Sequence, residues 1–287
     1  MNFHGNLEGK LVVITGATHG IGRAALDKIV SWKPRKIIFG SRNPVHGDNI
    51  RTELVKNSPR PIIIESWPLD LSSLESVKSF GQNFIKTGEG IDLLLLNAGC
   101  SFPKLTKTQD GFEQMYQVNV ISHFLLVRLL TPLLRKDSRV VFTSSNSHRY
   151  AKLDFSNLNS EQSFSTLFAY ANSKLITNLM AAEFNRRLRS VDVKVFAADP
   201  GFIKSNIGIN DGIPLPLSIL RSAVIFWGGS PEIGANRILI PAVSENVDID
   251  KWYYQKGRAA APSRESLDGE LARKVWDRLD EAVKKYI

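Results

Sequence analysis

Apolar runs of strand length alternate with longer segments of helical periodicity from residue 11 to residue 200. Residues 11–14, 37–39, 62–64, 93–96, 140–142 and 193–198 are short and dominated by Val, Ile, Leu, Phe and Ala, as strands buried on both faces are. Between them, residues 21–32, 74–86, 111–134 and 167–189 repeat apolar side chains three or four apart, which predicts helices. The alternation predicts an α/β fold, a doubly wound Rossmann-type parallel sheet with right-handed crossover helices on both sides. Within residues 268–286, Leu271, Val275, Leu279 and Val283 share one stripe, predicting an amphipathic helix docked on the domain. No linker or internal repeat divides the 287 residues, so a single domain is expected, with residues 10–200 as its core.

With 43% apolar and 23% charged residues the chain has the composition of a globular protein, neither disordered nor fibrous. A net charge of +9 suits several kinds of anionic partner. The basic groups, among them Arg135-Lys136, Arg186-Arg187 and Lys284-Lys285, are scattered over different helices with no aromatic stripe between them. Nucleic acid is therefore not an expected partner. The single cysteine, Cys100, excludes an internal disulfide and a cysteine-based zinc site, so no metal and a reducing, cytoplasmic setting are expected. The first ten residues are polar and lack a leader pattern, so the mature chain is expected to begin with them. No stretch approaches the roughly 20 apolar residues of a membrane span.

After the first strand comes Thr15-Gly16-Ala17-Thr18-His19-Gly20-Ile21-Gly22, leading directly into a helix. Glycines let the backbone turn sharply and approach a pyrophosphate, and the helix N-terminus offers free N–H groups to the anion. The second strand carries no acidic residue at its end to bind the hydroxyls of an adenosine ribose; it runs through Gly40-Ser41 into Arg42, whose guanidinium suits a 2′-phosphate. NADP(H) is thus the expected cofactor, and because NADPH dominates the reduced cytosolic pool the expected direction is reduction. His19 reads either as a further polar contact or as a surface histidine. Tyr170 and Lys174 are four apart near the start of a helix, hence on one face, where an ammonium lowers the pKa of a neighbouring phenol.

The order of Gly16-x-x-x-Gly20-x-Gly22, Asn97-Ala98-Gly99, Asn119, Ser145, Tyr170-x-x-x-Lys174 and Pro200-Gly201 resembles the short-chain dehydrogenase/reductase family. Gly40-Ser41-Arg42, Ser144-Ser145-Asn146-Ser147-His148, Lys251-Trp252-Tyr253 and the segment around Trp276 resemble its retinol-dehydrogenase-like branch, although Ser122 stands where those relatives commonly have glycine. The resemblance implies a catalytic set of Asn119, Ser145, Tyr170 and Lys174. Tyr170 protonates the developing alkoxide and Ser145 binds the carbonyl oxygen, with Ser144 the competing serine. Lys174 also holds the nicotinamide ribose, and Asn119 positions a water that passes protons to it. For the cofactor it implies contacts from Asp70 beside the adenine, Asn97, Ala98 and Gly99 under its ribose, and Pro200, Gly201, Ile203 and Ser205 around the nicotinamide. Asp70 reads equally as a cap of the next helix. Cys100 reads as a small lining residue.

Residues 201–230 read as a flap over the substrate, and the apolar stretch within it, 213–227, suggests a lipophilic carbonyl compound: a retinaldehyde-like molecule, a long-chain aldehyde or a sterol ketone. Completion of the core explains the same side chains. Peripheral contact of this stretch with a membrane, at the endoplasmic reticulum or a lipid droplet, is a further expectation. The resemblance also implies pairing into a homo-dimer or tetramer through helices 111–134 and 167–189. Two other readings stand beside the reductase: an NADP(H)-binding sensor or scaffold without turnover, and an alcohol dehydrogenase working oxidatively.

Overall fold

The computed structural model describes residues 5–58, 60–204, 228–245, 247–248 and 250–287. Strand β1 (Leu11–Thr15) is fully buried, as a run of branched apolar residues with a sheet neighbour on each side must be. It is followed by α1 (Gly20–Ser31), β2 (Lys36–Ser41), α2 (Pro44–Asn57), β3 (Ile63–Pro68), α3 (Leu74–Thr87) and β4 (Ile91–Leu96). A second series contains α4 (Gln114–Tyr116), a π-helical turn (Gln117–Ile121), α5 (Ser122–Leu130), β5 (Leu134–Thr143), α6 (Thr166–Leu188) and β6 (Lys194–Asp199). The chain then contributes α7 (Pro231–Val243), β7 (Tyr253–Gln255), β8 (Arg258–Ala259) and α8 (Gly269–Val283).

The strand order is β3-β2-β1-β4-β5-β6-β7-β8, parallel through β7 with β8 antiparallel. One apolar core joins the sheet to α3, α5, α6 and α8, and a second joins its other face to α1, α2 and α7. The winding reverses between β1 and β4, and the crevice outside their C-terminal ends is where such sheets bind ligands.

Several elements differ from the sequence pattern. The helix expected over residues 111–134 begins at Gln114, widens into the π turn and ends at Leu130. Pro132 belongs to a 3-10 turn, and Leu134 already opens β5. Helix α2 carries only a thin buried stripe, Gly47, Ile50 and Leu54, and is started by the Asn43 cap and Pro44 rather than by amphipathicity. The β7–β8 hairpin turns on Lys256 and Gly257, both at positive φ (50° and 79°), the backbone of a two-residue type I′ turn. Among the described residues no helix is long and apolar enough to cross a membrane.

Helix α8 seats Trp276 edge-on against Phe124 and Phe184, with ring centroids 4.9 and 4.7 Å away, and the Arg187 guanidinium stacks 4.0 Å above the indole. Trp276→Ala is expected to cost about 3–5 kcal/mol, the range for emptying a packed aromatic site. The check is a lower denaturant midpoint at unchanged m-value.

Candidate active site

The glycine loop is built against the exit of β4. Gly16 sits at φ +66°, and a Cβ there would stand 2.6 Å from Ala98 Cα; one on Gly22 would stand 2.0 Å from the Gly16 carbonyl. Only glycine permits this approach of the two backbones. The Thr15 hydroxyl accepts the Asn97 and Ala98 N–H groups, each at 3.1 Å, and Asn97 Nδ2 donates to Gly16 O at 3.2 Å. Helix α1 has no acidic residue in its first turn, and its cap residue His19 makes no side-chain cap bond, so its N-terminal N–H groups are available to an anion.

Thr18 Oγ1 lies 3.0 Å from His19 Nδ1, Gly20 and Ile21 open α1, and Arg42 is exposed after β2 without an ion pair among the described residues. His46 of α2, which the sequence pattern did not mark, stacks on His19 with centroids 5.0 Å apart, and its buried Nε2 has no hydrogen-bond partner among the described residues. A cationic and donor-rich rim beside free helix N–H groups fits a dinucleotide phosphate. Asp70 does not cap α3: the cap is Ser73, and Asp70 Oδ1 instead accepts the Ser72 N–H and hydroxyl at 2.9 and 2.7 Å.

At the other side of the crevice, Ser145 follows β5; its hydroxyl donates to Ser147 Oγ at 3.1 Å and accepts the Ser147 N–H at 3.2 Å, and it is near enough to the Tyr170 phenol to favour the phenolate. Ser144 is buried and committed to Asn178 Oδ1 at 2.6 Å, which separates the two serines. Lys174 Nζ donates to the Thr143 carbonyl at 2.9 Å and lies 5.6 Å from the Tyr170 ring centroid, and a Cβ on Gly99 would be 3.7 Å from it. Asn119 lies in the π turn, a device common at functional sites. Its Oδ1 accepts the Cys100 N–H at 2.8 Å, and its Nδ2 donates to Cys100 O at 3.1 Å and Ser173 Oγ at 3.0 Å. Both amide protons of Asn119 are thus spent within the protein.

The Tyr170 phenol is not lowered in the free protein. Burial pushes it up to about 12, Asp199 and Cys100 add to the rise, and the neighbouring Ser145 hydroxyl opposes it. The Lys174 ammonium, hydrogen-bonded to the Thr143 carbonyl, is itself brought down to about 8 by burial. Burial likewise raises the Cys100 thiol to about 12, so it is protonated and not nucleophilic.

After β6, the Gly201 N–H donates to Asp199 Oδ1 at 2.8 Å, the Pro200 carbonyl accepts from Arg237 at 2.7 Å, and Ile203 is buried. Ser205 and the stretch 213–227 lie outside the described residues. Asp199 went unmarked in the sequence; a carboxylate ending an otherwise apolar buried strand was the available signal.

The chain is 34% identical to retinol dehydrogenase 14 of Mus musculus, over 95% of its own length and 85% of that protein. It is 33% identical to polyprenol dehydrogenase of Mus musculus, over 93% and 82% respectively. The crystal structure of an uncharacterized protein from Mycobacterium Paratuberculosis superposes with a TM-score of 0.77 at 26% identity, covering 98% of this chain and 95% of that one. Residues 10–212 match the short chain dehydrogenase family. With that match spanning the glycine loop, the switch-point crevice and the Ser145, Tyr170 and Lys174 cluster, the chain belongs to the short-chain dehydrogenase family of oxidoreductases.

Proposed function

We propose that the protein is an NADP(H)-dependent reductase of a lipophilic aldehyde or ketone. The observation that carries this reading is the gathering of Ser145, Tyr170 and Lys174, the ammonium 5.6 Å from the Tyr170 ring centroid, on the rim of the crevice whose other wall is the glycine loop. When bound, NADP(H) supplies the hydride. Arg42, with the N-terminus of α1, holds the phosphates, and Asn97 to Gly99 form the floor of the crevice. A phenol near 12 is fully protonated at neutral pH, so Tyr170 is ready to donate its proton to the alkoxide that forms on the carbonyl oxygen. Ser145 holds that oxygen, and the Lys174 ammonium stabilises the phenolate left behind. The names of the relatives, retinol and polyprenol dehydrogenases, and the apolar stretch 213–227 support a lipophilic, retinaldehyde-like substrate.

The test is NADPH consumption with a panel of lipophilic aldehydes and ketones, run in parallel with NADH. Turnover of a panel member with preference for NADPH is the expected result. Binding of NADPH with no turnover across the panel favours a cofactor sensor or scaffold. Arg42→Ala is expected to raise the NADPH KM roughly 10- to 150-fold, the equivalent of about 1.5–3 kcal/mol for a charge-assisted contact, and to leave the NADH KM within about twofold.

A further inference from the structure

His123 lies on α5, immediately after the π turn, and only 2% of it is exposed. Its Nε2 is 3.1 Å from Thr15 Oγ1, and its Nδ1 is 3.3 Å from the Asn119 carbonyl. Thr15 decides which nitrogen carries the proton. Its oxygen already accepts the Asn97 and Ala98 N–H groups, so its hydroxyl proton points to Nε2. Nε2 is then the acceptor and Nδ1–H the donor to Asn119 O. Burial, assisted by the charge on Lys174, brings the imidazole down to about 3, so it stays neutral and keeps this single tautomer at working pH.

The ring thus joins the two halves of the site. On one side it holds the Thr15 hydroxyl that carries the Asn97–Ala98 backbone against the glycine loop. On the other it holds Asn119, whose amide reaches Ser173, whose hydroxyl in turn donates to the Tyr170 carbonyl at 2.7 Å.

We propose that His123 is a positioning residue with two separable tasks: its Nε2 sets the cofactor-side backbone through Thr15, and its Nδ1–H sets the Asn119–Ser173–Tyr170 chain beside the reacting groups. The assignment rests on the reductase reading for its second task and on cofactor binding alone for its first.

The experiment compares His123→Asn, His123→Gln and His123→Leu in the full chain. Asparagine keeps a donor near the position of Nδ1 and loses the reach to Thr15; glutamine keeps a group near Nε2 and loses the donor to Asn119. Steady-state kinetics use the aldehyde that the wild type reduces, and NADPH Kd is measured by fluorescence titration. One lost buried hydrogen-bond partner is expected to give about a tenfold effect. His123→Asn should raise NADPH Kd and KM about tenfold with kcat within about twofold of wild type. His123→Gln should lower kcat about tenfold with NADPH Kd within about twofold, and His123→Leu should show both effects. A purely structural role would lower kcat and raise Kd together in all three, in step with the melting temperature, and that pattern or three unaffected variants overturns the proposal. If the wild type binds NADPH and reduces no panel member, the reductase reading fails while the Kd contrast between His123→Asn and His123→Gln still decides the Thr15 task; a Kd equal in the two overturns it. A wild type that does not bind NADPH overturns both.

Discussion

Tyr170→Phe is expected to lower kcat by roughly 10²- to 10⁴-fold, the range contributed by a positioned general acid. The variant keeps the ring on which Lys174 rests, 5.6 Å from its centroid, and loses only the hydroxyl. NADPH Kd should therefore stay within about twofold, because the glycine loop and Arg42 are untouched. The pH behaviour follows from the position of the phenol. The acid form is lost only as pH rises toward about 12, so Tyr170 imposes no fall in reduction across the neutral range, whereas oxidation, which needs phenolate, climbs with pH. Steady-state kinetics in both directions over a pH series, with a fluorescence titration of NADPH, check both parts.

The second large effect separates activity from stability. Lys174→Met is expected to lower kcat on the order of 10²- to 10³-fold by removing the charge that stabilises the phenolate. Its effect on folding runs the other way. Burial lowers Lys174 from 10.5 to about 8, which corresponds to roughly 3 kcal/mol held against the charged form in the folded state. Between those values the unfolded chain binds the proton that the folded chain has released, so stability rises with pH from about 8 toward 10.5, and below 8 the buried ammonium is a cost. Removing it relieves that cost, offset by about 1–3 kcal/mol for leaving the Thr143 carbonyl without its donor. The Met variant is expected to be equal to the wild type or up to about 2 kcal/mol more stable at neutral pH, and to lack the rise above pH 8. Denaturant unfolding at neutral and alkaline pH measures both, and a marked loss of stability at neutral pH would contradict the account.

Much of the fold was legible because fully apolar runs such as Leu93 to Leu96 belong in a sheet covered on both sides, and the glycine loop sits after the first of them. The proximity of Tyr170 to Lys174 follows from helical spacing, and the structure adds the Ser145 hydroxyl from a different strand end. What could not be read depends on tertiary surroundings. Helix α2 presents Val45 and Val55 to solvent and is held by its cap and three buried residues, so periodicity misses it. His123 sits within a mostly apolar run, Val120 to Leu130, beside Ser122; nothing local reveals that Thr15, far earlier in the chain, receives it. The high phenol and lowered ammonium are likewise products of burial, which is not written in the Tyr-x-x-x-Lys spacing.

The central claim is hydride transfer from NADPH to a lipophilic carbonyl carbon. Its most direct test is to supply NADPH carrying deuterium at the transferable position of the nicotinamide, incubate it with the protein and a retinaldehyde-like substrate, and locate the label by mass spectrometry. The account predicts an alcohol with one deuterium on its carbinol carbon, formed by the wild type and at most in trace by Tyr170→Phe. Saturating NADPH binding with no deuterium entering any aldehyde or ketone of the panel would contradict it.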